Sequence, residues 1–184
     1  MLTPNFDPFP TLLTERLILK QISVDDAPEI FALRSDKKAM QYLDRPIARV
    51  LGDALLLIQK IEKDLAANEG ITWGIALKDQ PQLIGTIGFW RITKEHHRAE
   101  IGYMINPSFQ GKGLMQEAIS AAIEYVFKIM KFHSIEANVN PNNLPSIKIL
   151  EKNHFVREAY FKENYYFDGR FLDSAIYSLV LSEY

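Results

Sequence analysis

A strand that leads into a long helix through a glycine-containing turn constrains this chain more than any other segment. Residues 98–105 form an apolar, alternating stretch that Pro107 ends, and a helical pattern follows over about residues 112–130. A second strand pattern covers residues 134–139. Two strands joined by a crossover helix within one sheet are expected to be parallel and connected in the right-handed sense. The junction therefore predicts a strand–helix–strand unit with the turn at the carboxyl end of its first strand.

The periodicity of the rest of the chain predicts a mixed sheet with helices around it. Ser23 or Asp25 is expected to cap a helix that ends near Arg34. Other helical patterns cover residues 49–67 and 145–152, and strand patterns cover residues 16–22, 71–77, 82–90, 155–163 and 171–181. A tight turn over residues 78–81 is expected between the second and third of these strands. With no linker or repeat, we expect an α+β fold in one domain over residues 1–184, with a core of about 14–181.

Charge and composition argue against several classes of function. The chain has 21 basic and 23 acidic residues, so no basic surface indicates nucleic-acid binding. It has no cysteine, which excludes disulfides, thiolate zinc sites and cysteine nucleophiles, and its four histidines lack metal-ligand spacing. We expect no bound metal. No signal-peptide pattern or apolar run of bilayer length is visible, so the expected location is cytoplasmic, without a membrane partner.

The turn before the long helix has the properties of an anion-binding loop. Gly111 and Gly113 allow the backbone to approach a ligand, and the helix start directs N–H groups and the positive dipole end toward it. A P-loop pattern is absent, and a dinucleotide pattern that begins at Gly111 has Gln116 in place of its third glycine. The segment from Gln110 to Met115 fits Gln/Arg-x-x-Gly-x-Gly/Ala, the pyrophosphate loop of acetyl-CoA-dependent N-acetyltransferases, except for Met115 at the last small position. An ordinary glycine-rich turn is the alternative.

Further motifs match the same kind of enzyme in order and spacing. They are residues 14–19, 83–89, 99–103, 107–118 and 150–152, together with Asn143, Ser146, Phe155, Asp168, Gly169, Asp173, Tyr177 and Ser178. With these motifs the chain resembles the GNAT superfamily, and within it the branch that acetylates the N-termini of ribosomal proteins. The resemblance implies a single GNAT-type domain, acetyl-CoA as cofactor, and direct acetyl transfer to a primary amine in a ternary complex.

The resemblance also assigns the cofactor contacts. Backbone groups near Met104 and Ile105 are expected to hold the pantetheine arm and the acetyl carbonyl. The pyrophosphate is expected to bind the loop N–H groups of Gln110, Gly111, Lys112, Gly113, Leu114 and Met115. The Lys112 side chain either adds positive charge there or is solvated.

Glu100 is the candidate base. On an alternating strand it shares a face with Gly102 and Met104, and a carboxylate in an apolar groove can take a proton from an ammonium group. The alternative is a half-exposed glutamate paired with Arg98 on the same face, and a water relay between Glu100 and the amine would blur the distinction.

Asn143 and Ser146 form the second half of the expected site. An asparagine at a helix start is commonly a cap, and Pro145 just inside the helix supports that interpretation. The resemblance implies instead that Asn143 binds the pantetheine arm and that Ser146 lies near the thiol. Many relatives have a tyrosine donor near the position of Leu150, so Ser146 is the candidate that protonates the leaving thiolate.

The acceptor is the least determined feature. The resemblance favours a protein N-terminus; a polyamine or aminoglycoside-like amine and a non-catalytic acyl-CoA-binding module are the alternatives. The sequence does not determine whether the protein is a monomer or a homodimer, and only analogy supports the dimer. His154 replaces the glycine that relatives have at this position, and a left-handed or extended backbone is expected there.

Overall fold

The computed structural model describes residues 2–181 and contains one eight-stranded mixed sheet. The strands are β1 (Leu12–Leu13), β2 (Leu17–Gln21), β3 (Ile71–Leu77), β4 (Gln80–Thr93), β5 (Arg98–Ile105), β6 (Ser134–Val139), β7 (Val156–Phe167) and β8 (Arg170–Val180). Their order across the sheet is β1-β2-β3-β4-β5-β6-β8-β7, and every neighbouring pair is antiparallel except β5 and β6. The expected α+β fold is confirmed.

Helices cover both faces of this sheet. They are α1 (Ala27–Ser35), α2 (Leu51–Ala66), α3 (Leu114–Lys128) and α4 (Leu144–Lys152). Helices α1 and α2 enclose a smaller apolar cluster against Ile22, Ala76 and Leu83. Helix α3 packs on the other face, where Ala118, Ile119, Ala122 and other side chains are fully buried against the main core. Among residues 2–181, no helix is long and apolar enough to cross a membrane.

The main core is centred on aromatic residues of β3 and β4. Trp73 and Phe89 are fully buried and meet edge to face, with ring centroids 6.3 Å apart. The indole N–H of Trp73 donates to the carbonyl of Pro10 at 2.6 Å, which satisfies its one polar atom. Leu2 and Phe6 are buried in the same cluster, so packing also includes residues ahead of the expected 14–181 core.

Most predicted elements appear at or near their expected bounds. Three strands, β3, β5 and β6, match the predicted ranges, and α1 is preceded by a 3-10 turn (Val24–Asp26) that Ser23 begins. The expected turn over residues 78–81 is wrong in extent, because Gln80 and Pro81 already belong to β4. The hairpin of β7 and β8 is longer than expected because its strands pair as far as Phe167 and Arg170, where Asp168 and Gly169 both adopt positive φ.

Strands β5 and β6 pair in parallel, as predicted, but their pairing is short. It includes three pairs and ends at Glu100 opposite Glu136. Residues 101–105 of β5 and 137–139 of β6 continue as strands without pairing to each other. The sheet therefore opens into a gap at the carboxyl ends of these strands, where ligands bind in many open sheets.

Candidate functional site

A cavity of about 1010 Å³ occupies the gap between β5 and β6. Its lining includes four of the residues singled out from the sequence: Glu100, Met104, Asn143 and Ser146. Ile105 and the loop residues 110–115 are outside this lining, beyond the carboxyl end of β5. The structure thus brings the predicted catalytic residues into one cavity and places the predicted anion loop next to it along the chain.

The register of β4 and β5 determines which backbone groups face the gap. The N–H of Asn106 donates to the carbonyl of Ile84 at 2.8 Å, directly beyond the last paired residues of the two strands. Because hydrogen-bonded and non-hydrogen-bonded pairs alternate in an antiparallel ladder, the main-chain groups of Met104 also face β4. Those of Tyr103 and Ile105 face the gap. Met104 contributes its side chain to the cavity instead.

The loop before α3 is shaped to receive an anion. Gly111 and Gly113 adopt φ values of 74° and 75°, which disfavour any residue with a Cβ atom. A Cβ atom on Gly111 would meet nothing within 4 Å, so the space beside this backbone is open. Gly113 is the N-cap of α3 and has no side chain to occupy the first N–H groups of the helix. These N–H groups and the helix dipole are therefore free to bind a phosphate.

The departure at Met115 does not obstruct this loop. The side chains of Leu114 and Met115 are both buried in the main core, on the side away from the open space at Gly111. The Nζ atom of Lys112 lies 5.1 Å from the centre of the Phe109 ring, a cation–π distance. Lys112 therefore combines an exposed charge with one aromatic contact.

An ion pair between Arg16, which directly precedes β2, and Glu117 anchors the loop. Glu117, in the first turn of α3, accepts hydrogen bonds from the Thr14 hydroxyl at 2.5 Å and from the Arg16 main-chain N–H at 2.8 Å. The Arg16 guanidinium also contacts Glu117 at 2.7 Å and donates to the carbonyl of Lys112 at 2.9 Å. Burial alone raises the pKa of Glu117, but these hydrogen bonds outweigh it and hold the pKa below its usual range.

Gln116, which occupies the third-glycine position of the rejected dinucleotide pattern, has a structural role. Its side-chain amide forms a reciprocal pair with the buried amide of Asn153, at 2.8 and 3.1 Å. Asn153 also donates to the carbonyl of Ile149 at 2.7 Å. This amide pair joins the start of α3 to the end of α4, so it fixes the position of α4 beside the gap.

Glu100 is held by two donors, neither of which is Arg98. Its Oε2 atom accepts from Arg91 at 2.6 Å, and its Oε1 atom accepts from the Trp90 indole at 3.3 Å. Arg98 pairs with Glu136 at 3.4 Å, so the predicted alternative pairing of Glu100 is wrong. The reason is a bulge in β4 after Trp90, where Arg91 has a φ of 50° and turns toward Glu100.

Ser146 pairs with a tyrosine. Its Oγ atom lies 2.8 Å from the Tyr103 hydroxyl oxygen. Burial raises the pKa of Tyr103 to about 12, although the hydrogen bond with Ser146 lowers it in part. Asn143 caps α4, because its Oδ1 atom accepts from the Ser146 main-chain N–H at 3.2 Å. The capping interpretation of Asn143 is thus confirmed, and its Nδ2 atom has no hydrogen-bond partner among residues 2–181.

The candidate residues approach the gap from opposite faces of the sheet. Tyr103 belongs to the face of the main core, where it reaches Ser146 of α4. Glu100 alternates with it on β5 and lies on the face of α1 and α2. The sequence patterns did not indicate Tyr103 as the partner of Ser146 or Arg91 as the partner of Glu100. Alternation along β5 could have indicated the face of Tyr103, but no pattern reveals the bulge at Arg91.

His154 has a left-handed backbone, with a φ of 65°, as one of the two expected conformations. No group of three or more histidine, aspartate or glutamate side chains within residues 2–181 is arranged to hold a metal ion.

Comparison with known proteins identifies the family. Residues 16–156 match the acetyltransferase (GNAT) domain. Over 172 residues the chain is 37% identical to the uncharacterized N-acetyltransferase YoaA of Bacillus subtilis (strain 168), an alignment that covers 94% of this chain and 97% of that protein. It is 33% identical over 113 residues to the [ribosomal protein uS5]-alanine N-acetyltransferase of Escherichia coli (strain K12), covering 61% of this chain and 58% of the relative.

Solved structures agree with this assignment. A GNAT-family acetyltransferase from Bacillus anthracis superposes with a TM-score of 0.84 at 29% identity, covering 95% of this chain and all of that one (100%). The spermidine N-acetyltransferase of Vibrio cholerae, solved with CoA and spermine, superposes with a TM-score of 0.80 at 25% identity, covering 91% and 96% of the two chains. The chain therefore belongs to the GNAT family of N-acetyltransferases, enzymes whose cofactor is acetyl-CoA.

Proposed function

We propose that this enzyme transfers the acetyl group of acetyl-CoA to the α-amine of a polypeptide N-terminus, directly within a ternary complex. The observation that carries the proposal is the gap between β5 and β6. Ser146 and Tyr103 reach this gap from the face of α3 and α4, and Glu100 reaches it from the face of α1 and α2. A donor and an acceptor that enter from opposite faces can therefore meet inside the sheet.

The residues present fit acetyl-CoA. The N–H groups after Gly113 and the open space beside Gly111 suit its diphosphate. The main-chain groups of Ile105 and Tyr103 suit the amides of its pantetheine arm, and the Nδ2 atom of Asn143 is a further donor beside the gap. When bound, acetyl-CoA supplies a thioester carbonyl and a thiol leaving group.

Ser146, Tyr103 and Glu100 are placed to donate or accept protons during the transfer. Ser146 would donate from its Oγ atom to the departing sulfur, and Tyr103, which keeps its own proton at neutral pH, would in turn donate to that Oγ atom. Glu100 would accept the proton that the acceptor amine loses. Oε2 of Glu100 accepts from Arg91 at 2.6 Å and Oε1 accepts the longer hydrogen bond from Trp90 at 3.3 Å, so the second lone pair of Oε1, or a water on it, would take the proton.

The chemistry of the amine favours a polypeptide N-terminus over an alkyl amine. An α-ammonium group has a pKa near 8 and an alkylammonium group a pKa near 10.4, so neutralisation at pH 7.5 costs about 0.7 and about 4 kcal/mol, respectively. A site in which one carboxylate, already bound by two donors, must take the proton suits the amine with the smaller cost of neutralisation. The similarity to a ribosomal-protein alanine N-acetyltransferase supports the same class of acceptor.

The test is release of CoA thiol from acetyl-CoA in the presence of candidate acceptors. Peptides with free Ala or Ser α-amines would be compared with the same peptides blocked at the N-terminus, with a lysine-containing blocked peptide, and with spermidine. We expect release only with free α-amines, and mass spectrometry should locate the acetyl group there. Release with spermidine and not with any peptide would refute the polypeptide acceptor and favour the small-amine alternative.

A further inference from the structure

The part of the cavity that faces α1 and α2 has a fixed boundary. The segment between these helices contributes Asp44 and Arg45, and the last turn of α1 contributes Arg34. The hydroxyl of Tyr165 on β7 donates to the Asp44 carboxylate, so the C-terminal hairpin holds this segment in place. This region lies on the same face of the sheet as Glu100, where the proposed function requires the acceptor to bind.

The acidic side chains of this boundary are largely matched. Asp64 pairs with Lys60 at 2.5 Å, and Glu100 pairs with Arg91 at 2.6 Å. Asp44 accepts the hydrogen bond from Tyr165, and although burial raises the pKa of its carboxyl, the charge of Arg170 acts in the opposite direction. Two further lining residues have opposite charges that offset each other: Glu69 and Lys94.

Arg34 and Arg45 are two lining residues whose positive charges have no anionic partner among residues 2–181. Within residues 2–181, neither guanidinium forms an ion pair or a side-chain hydrogen bond. Arg34 is half-buried, and burial, together with the nearby positive charge of Arg45, lowers its pKa. A desolvated guanidinium beside a second one is unfavourable without an anion, and its planar fork matches a carboxylate.

We propose that Arg34 and Arg45 form an anion subsite of the acceptor half of the cavity, which binds an acidic side chain within the first few residues of the acceptor polypeptide. The inference rests on the proposed function and specifies its substrate as an acidic N-terminus. A guanidinium pair in this position also repels polyamines, whose charges have the same sign. Nearby Arg49 is a natural control, since it lies in the same segment but is outside the lining of the main cavity and has Asp53 beside it. It lines a second pocket, to which Arg34 also contributes.

The experiment compares peptide amides that begin with Ala and differ only by Asp, Asn or Lys at position two, three or four. Binding to the complex with CoA is measured by calorimetry, and turnover is measured with acetyl-CoA. We expect the best-placed Asp to bind and react at least about tenfold better than Asn, and Lys to be worse than Asn. In R34Q and R45Q the preference for Asp over Asn should fall to within about twofold, and in R49Q it should persist. Thermal unfolding of each variant checks that it is folded. Because the Arg45 side chain is exposed, R45Q still tests the subsite if R34Q fails to fold.

The outcomes separate the subsite from the function. Turnover of peptides without a preference for Asp, or a preference unchanged in both R34Q and R45Q, overturns the subsite and leaves the proposed function intact. Free aspartate and glutamate form a second set of acceptors. If they react in an Arg34-dependent manner while no peptide binds or reacts, the anion subsite stands and the polypeptide acceptor is overturned. If neither peptides nor acidic amino acids bind preferentially to the CoA complex, the subsite is overturned whatever the turnover.

Discussion

Replacement of Arg16 by Met would test whether this arginine neutralises a carboxylate beside the cofactor loop. Glu117 lies four residues beyond Gly113, the N-cap of α3, and Arg16 contacts it at 2.7 Å. With a rise of about 1.5 Å per residue, its backbone is about 6 Å along the helix from the loop. The side chain and the radius of a phosphate bring the separation of the charges to about 9 Å. In R16M, Glu117 would face the diphosphate without compensation.

The size of the effect follows from Coulomb's law. At about 9 Å and an effective dielectric constant of about 40, each diphosphate charge is repelled by about 0.9 kcal/mol, so two charges give about 2 kcal/mol. This corresponds to a roughly 20-fold weaker Kd for CoA at low ionic strength. At about 0.15 M salt, a Debye length of about 8 Å reduces the loss to about threefold. A steep dependence on salt is therefore part of the prediction.

Calorimetric titration of CoA into R16M, E117Q and the double variant provides the assay. We expect R16M to bind weakly, and the double variant to return to within about twofold of the unmodified protein because both charges of the pair are gone. Thermal unfolding of each variant controls for damage to the fold, since Glu117 also accepts from Thr14 and from the main chain of Arg16, and a neutral glutamine weakens these hydrogen bonds. If the double variant binds as weakly as R16M, the charge argument is refuted, and Arg16 acts through its hydrogen bond to the Lys112 carbonyl.

Three further predictions concern other parts of the structure. Ser146→Ala should lower kcat by about 10- to 100-fold, and Tyr103→Phe by about fivefold. Because the pKa of Tyr103 is about 12, Tyr103→Phe should leave the pH profile of kcat unchanged below about pH 10. If the unmodified enzyme loses activity with rising pH below about pH 10 and Tyr103→Phe does not, the role of Tyr103 as a neutral donor is contradicted. His154→Gly should raise the free energy of unfolding by about 1 kcal/mol and Tm by about 2–4 °C, because φ at this position is 65°. His154→Ala should give no such gain. An unchanged or lower Tm in the glycine variant would contradict this reasoning. Gly102→Ala should reduce turnover, because the added Cβ atom would lie 2.0 Å from the Trp90 ring. A second substitution, Trp90→Phe, should restore part of the lost turnover. A fully active Gly102→Ala variant would show that the Trp90 ring moves away without cost.

The sequence predicted the sheet well where local patterns determine it. The boundaries of β3, β5 and β6 follow from alternation and from the turns around them, and the parallel pairing of β5 with β6 follows from the helix between them. The left-handed conformation at His154 is one of two expected conformations, and the capping role of Asn143 is the one of its two expected roles that Pro145 favours.

The rest of the site depends on contacts between distant parts of the chain. Arg16 and Glu117 are 101 residues apart, so no periodic pattern relates them. The partner of Glu100 is Arg91 and not Arg98, because a bulge in β4 changes the direction of one side chain. The pairing of Tyr103 with Ser146 needs the position of α4, which an amide pair at its far end helps to fix. Such packing is not encoded in any local stretch of sequence.

The separation of β5 from β6 has a consequence for association with other chains. Unpaired strand edges tend to recruit further strands and so promote aggregation. Here five residues of one strand and three of the other are unpaired toward the gap, but helices on both faces enclose them. A linear chain that carries amides, such as the pantetheine arm of CoA, can pair with the same main-chain groups. The fold thus omits one strand from the middle of its sheet and keeps that position for a ligand.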